Sequence, residues 1–140
     1  MIWLAAGVVL FFVLAAAGRR ARQREIVASL RRNFVVRARQ SLQVYLAPMA
    51  AVVSDEQLGQ AFDWIYAEHL RRLHARDFAD LLRKGQTDEA MSVSSDICTE
   101  AGKRLCSAYQ DCEPALAGMA LSDALQLGGR DMYAEMVPSG

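Results

Sequence analysis

Proline and glycine are scarce in this chain, with three and nine residues among 140. This composition excludes a collagen-like, a proline-rich or a low-complexity chain. Cysteine is scarce as well, and three residues do not form the disulfide framework of a small secreted domain. No alternation of apolar and polar residues is long enough for a half-buried strand, so the sequence predicts an all-α protein.

The short motifs that carry common chemistry are also missing. The sequence has no phosphate-binding loop, no glycine-rich dinucleotide turn, no Gly-x-Ser-x-Gly and no His-Glu-x-x-His. It therefore predicts no catalytic residue, no metal-binding residue and no cofactor. These absences favour a protein that is not an enzyme, without deciding the point.

Charge is balanced over the whole chain but not along it. Residues 1–44 contain eight arginines and one glutamate, so they carry a net charge of +7 and the remaining residues carry −7. A basic segment followed by an acidic remainder is typical of a chain whose basic part contacts a membrane or another polyanion.

Residues 2–18 contain no charged and no strongly polar side chain. As a helix they would extend about 25 Å, which is the short end of what a bilayer requires. Trp3 lies at one end, where an indole ring is favourable at the membrane interface, and arginines begin at the other end. We therefore predict a transmembrane anchor over residues 1–18.

A cleaved signal peptide is the alternative for the same segment, because Ala15, Ala16 and Ala17 resemble a cleavage site. The arginines, however, follow the apolar run instead of preceding it. Their position predicts that the N-terminus lies outside and the rest of the chain in the cytoplasm. The arginine-rich and alanine-rich composition favours the inner (plasma) membrane. The three cysteines, Cys98, Cys106 and Cys112, would then be free thiols. Four arginines are predicted to set this topology and to contact anionic lipid: Arg19, Arg20, Arg22 and Arg24.

Residues 19–47 contain neither glycine nor proline, and Pro48 is expected to end a basic amphipathic helix that continues from the anchor. Its apolar residues recur at helical spacing. They form a stripe for which we predict partner binding: Ile26, Leu30, Phe34 and Leu42. The stripe can dock another chain or fold back onto the chain's own helices, and we expect at least part of it to be intermolecular.

The acidic part, residues 48–136, is predicted to form a small bundle of about three helices, followed by a tail at 137–140. Ser54 and Gln57 have the spacing of a capping box, which predicts a helix over 55–84. A second helix is predicted from Thr87 to about Gln110. Pro114 is placed to begin a third, which should stop at Gly128 and Gly129.

His69 and His74 are the only histidines, and a spacing of five places them about 140° apart on a helix. They therefore do not share a metal ion. A membrane-tethered enzyme or ligand sensor with a helical pocket around these histidines is one alternative function. A membrane-tethered regulator that binds nucleic acid through the arginines from Arg31 to Arg39 is another, although no recognition motif accompanies them.

The favoured prediction is a single-pass membrane protein that acts through protein–protein contacts. It would be an accessory, assembly or scaffolding subunit of a larger membrane complex. Its expected partners are the membrane and other protein subunits or further copies of itself. The sequence identifies no small-molecule substrate, and no nucleic acid is expected.

Overall fold

The computed structural model describes residues 2–73 and 88–136, and in the first helix its side chains are described continuously from Gly18 onward. This part of the chain is all-helical and contains no strand, which confirms the predicted fold class. Its helices are α1 (Ile2–Tyr45), α2 (Ala47–Val52), α3 (Asp55–Arg72), α4 (Asp88–Cys106) and α5 (Pro114–Met136). The predictions for His74, for Thr87 and for the tail at 137–140 lie outside the described residues.

Helix α1 is a single helix of 44 residues, which corresponds to about 66 Å. It passes through Gly18 without a break, as expected for a segment that joins residues 2–18 to the basic helix. It ends at Tyr45, and Leu46 has a non-helical backbone. Pro48 lies in the first turn of α2, where its missing N–H leaves no intrahelical bond unmade.

Within the described part of the chain, no helix has a stretch both long and apolar enough to cross a bilayer. The transmembrane prediction for residues 1–18 therefore gains no support from the structure and stays a prediction. The side chain of Trp3 lies outside the described residues.

Helix α3 begins with the predicted capping box. The backbone N–H of Gln57 donates to Ser54 Oγ at 3.2 Å, and Ser54 N–H donates to Gln57 Oε1 at 2.9 Å. The helix ends at Arg72 with Leu73 as its C-cap, so it is shorter than the range 55–84 predicted for it. The rest of that range lies outside the described residues.

Helix α5 begins at Pro114, as predicted, but it continues through Gly128 and Gly129 to Met136. The prediction that these glycines end the helix was wrong, and at Gly128 the reason is packing against α1. A Cβ on Gly128 would lie 3.0 Å from the backbone nitrogen of Phe34, so glycine permits α1 and α5 to approach closely. Helix α4 ends at Cys106, four residues before the predicted end.

The long helices form a closed ring in which α1 contacts α3, α3 contacts α4, α4 contacts α5 and α5 contacts α1. The basic helix is therefore the fourth member of the bundle and does not merely connect it to residues 2–18. Phe34 of α1 meets Phe62 of α3 near the centre, with ring centroids 5.3 Å apart. The core also includes Leu58, Ile65, Ile97, Leu121, Ala124 and Met132.

The contact between α4 and α5 depends on glycine. A Cβ on Gly102 would lie 2.6 Å from Gly118 N and 2.8 Å from Pro114 O, and both of these are backbone atoms. The variant Gly102→Ala should therefore force the helices apart and lower the free energy of unfolding by about 1–3 kcal/mol. Chemical denaturation of the full chain in detergent, monitored by circular dichroism, measures this loss of stability.

Gly18→Ala is the matched control, because a Cβ at Gly18 has no atom within 4 Å. This change should be neutral or stabilise the protein by up to about 1 kcal/mol through helix propensity. A Gly102→Ala variant as stable as Gly18→Ala would contradict the close approach of α4 and α5.

Candidate functional site

The apolar stripe of α1 lies inside the bundle. Leu30, Phe34 and Leu42 have 0% exposure, and Ile26 is half-buried against the same core. A side chain without accessible surface cannot contact a second chain while the bundle stays folded. The structure thus places these residues as the intramolecular alternative describes, and we assign no partner to the three fully buried ones.

Two arginines beside the stripe pair with carboxylates of neighbouring helices. Arg31 binds Asp63 of α3 through two bonds, Nε to Oδ1 at 3.0 Å and Nη2 to Oδ2 at 3.2 Å. Arg37 Nε donates to Asp131 Oδ2 of α5 at 2.6 Å. The opposite charges of the two parts of the chain therefore meet within the bundle, on both sides of α1.

A third arginine joins α1 to the connection between α2 and α3. Arg39 donates to the carbonyl oxygens of Ala50 and Val53, both at 2.9 Å, and its Nη2 donates to Asp55 Oδ1 at 2.6 Å. Within the segment from Arg31 to Arg39, Arg32 is the remaining arginine, and it donates to Ser29 Oγ at 3.0 Å. Phosphate binding by the other three would require these bonds to break, which weighs against the nucleic-acid alternative.

The four arginines nearest to the uncharged segment are arranged differently. Arg19, Arg20, Arg22 and Arg24 are exposed, and no ion pair involves them among the described residues. Arg20 and Arg24 flank a groove of about 440 Å³ between α1 and Tyr66 of α3. This basic turn of α1 is the strongest candidate for a functional surface.

His69 is buried in α3, where its Nδ1 lies 2.8 Å from Ile65 O. Burial lowers the pKa of its imidazole, and the positive charge of Arg72 acts in the same direction. The groove between α3 and α4, which contains Trp64, does not include His69. The described residues therefore give the proposed histidine pocket no support, and His74 lies outside them.

The prediction of three free thiols was wrong for two of them, because Cys106 and Cys112 form a disulfide with a Cα–Cα distance of 5.3 Å. The chain turns back after α4 through Asp111, whose φ is 58°, and this turn brings the two cysteines together. Cys98 is free and buried, and desolvation raises the pKa of its thiol to about 12. Cys98 is thus protonated at neutral pH and poorly suited to nucleophilic chemistry.

No group of three His, Cys, Asp or Glu side chains within residues 2–73 and 88–136 is placed to hold a metal ion. Comparisons with protein families, with curated proteins and with solved structures found no match. The function therefore has to be inferred from the chain's own residues.

The depressed pKa of His69 gives folding stability a defined pH dependence. The unfolded chain binds a proton near the ordinary pKa of 6.5, whereas the folded chain resists protonation until a lower pH. The stability that the neutral imidazole of His69 contributes is fully present above pH 6.5. It is lost as the pH falls below that value, and the free energy of unfolding then decreases by at most about 1.4 kcal/mol per pH unit. Between pH 8 and 5.5, the free energy of unfolding measured by chemical denaturation should depend less steeply on pH for His69→Leu than for the wild type. Equal slopes would contradict a neutral, buried His69.

Proposed function

We propose that this chain is a single-pass membrane protein whose helical bundle acts through protein contacts, as an accessory, assembly or scaffolding subunit. The observation that carries the proposal is the continuity of α1, which begins in the uncharged segment and ends in the bundle core. Ile26 packs against the core eight residues after Gly18, a rise of about 12 Å. The bundle would therefore begin at the level of the lipid headgroups.

Two observations favour contacts over catalysis. The side chains of His69 and Cys98 are buried, and their surroundings favour the uncharged form of each. The apolar side chains left for contacts are on the outside of the bundle, with Val36 and Val44 on α1 and Met119 on α5 all exposed. A protein partner would meet these outer faces and not the buried stripe.

The orientation we propose places the N-terminus outside and the bundle in the cytoplasm. Four arginines directly after residues 2–18 support it, because arginine-rich flanks stay on the cytoplasmic side. The Cys106–Cys112 disulfide favours an oxidising compartment and thus the opposite side. We give the arginines more weight, because basic flanks act directly on the orientation of a span, whereas a disulfide indicates only the redox compartment.

The proposal predicts how reporters behave when they are fused after Gly140. A fused fluorescent protein should fluoresce, and fused alkaline phosphatase should be inactive. The full chain should stay in the membrane pellet after alkaline carbonate extraction. The control variant replaces Arg19, Arg20, Arg22 and Arg24 with Gln and places four arginines before Ile2, which should invert the reporters.

The orientation and the membrane anchor are tested by different measurements. An active phosphatase fusion on the unaltered chain would overturn the orientation and agree with a structural disulfide. Complete extraction by carbonate would overturn the membrane anchor.

A further inference from the structure

We propose that the groove between α1 and α3 binds the phosphate of an anionic phospholipid headgroup. This inference rests on the proposed membrane anchor. It goes beyond general attraction of basic residues to the membrane, because it assigns the binding to one pair of arginines and excludes their immediate neighbours.

The groove has the two chemical components that a charged lipid requires. Among the described residues its lining consists of Arg20, Gln23, Arg24, Val27, Ala28, Arg31 and Tyr66, and none of these is acidic. Arg20 and Arg24 are one helical turn apart and exposed, so their guanidinium groups can reach the same phosphate. The third arginine, Arg31, holds Asp63 through two bonds, so Arg20 and Arg24 are the described arginines of this groove that are available to a ligand.

Two features favour a lipid over free phosphate as the source of this group. Arg20 is two residues past Gly18, about 3 Å along the helix axis from the end of the uncharged segment. It would therefore lie at headgroup level when that segment spans the bilayer. The wall of the groove also includes Val27, Ala28 and the ring of Tyr66, whose apolar surface can pack against the glycerol backbone and the upper acyl chain.

The neighbouring arginines provide a matched control. Arg19 and Arg22 lie in the same six-residue segment and carry the same charge, but neither lines this groove, and Arg22 borders a separate one beside Glu25 and Met132. The double variants Arg20→Gln/Arg24→Gln and Arg19→Gln/Arg22→Gln therefore remove equal charge at nearly equal depth. Glutamine is a good helix former, so both should keep α1 intact.

The test uses the full chain reconstituted in phosphatidylcholine vesicles with a minor fraction of spin-labelled phosphatidylglycerol. Electron paramagnetic resonance measures the immobilised lipid and so the preference for phosphatidylglycerol over spin-labelled phosphatidylcholine. Because a groove site adds short, charge-assisted hydrogen bonds to the general attraction, the Arg20/Arg24 variant should lose most of the preference, by about fivefold or more. The Arg19/Arg22 variant should lose less than about twofold, because salt screens the general attraction that arginines outside the groove contribute.

Three results would overturn the inference. Equal losses in the two variants would mean diffuse attraction without a groove site. Abolition of the preference by millimolar inorganic phosphate would identify a small-ion site instead of a lipid site. Wild-type protein that carbonate strips from the vesicles would refute the anchor itself, and this readout is independent of the comparison between variants.

Discussion

The burial of one face of α1 is the interaction on which the rest of the structure depends. Leu30, Phe34 and Leu42 point into the bundle, and Phe34 meets Phe62 at its centre. Fully burying such a side chain stabilises a fold by about 1.5–3 kcal/mol, so without α1 the other helices would expose their apolar faces to water. The helix that leads away from residues 2–18 is thus also the helix around which the bundle is built.

The charge asymmetry of the sequence follows from the same placement. Once the stripe faces inward, Arg31, Arg37 and Arg39 flank it and reach acidic residues on α3 and α5. These pairs keep 34–41% exposure on the arginine side, so each contributes at most about 1 kcal/mol. Their main effect is to favour one register of α1 against its neighbours. Arg20 and Arg24, which precede Ile26, form no ion pair among the described residues and are available for an external anion.

Features that depend on local sequence could be predicted, and those that depend on distant contacts could not. The capping box at Ser54 and the helix start at Pro114 involve residues within one turn. Periodicity found the stripe, but it could not tell a partner from the chain's own helices. From local sequence alone, Gly128 is typical of a residue that ends a helix. Its packing role follows only from the close approach of Phe34, which is distant in the sequence. The pair Arg37–Asp131 and the bond from Tyr45 to Asp123 likewise join residues that are far apart in the chain.

Hydrogen exchange of backbone amides in the full chain, held in a bilayer or detergent, tests the central claim most directly. If α1 is a core helix, the amides of residues 30–42 exchange only through global unfolding and match the protection of residues 117–132 in α5. If residues 30–42 exchange orders of magnitude faster than residues 117–132, α1 is a separate connecting helix. That result would contradict the central claim that α1 is a core helix of the bundle.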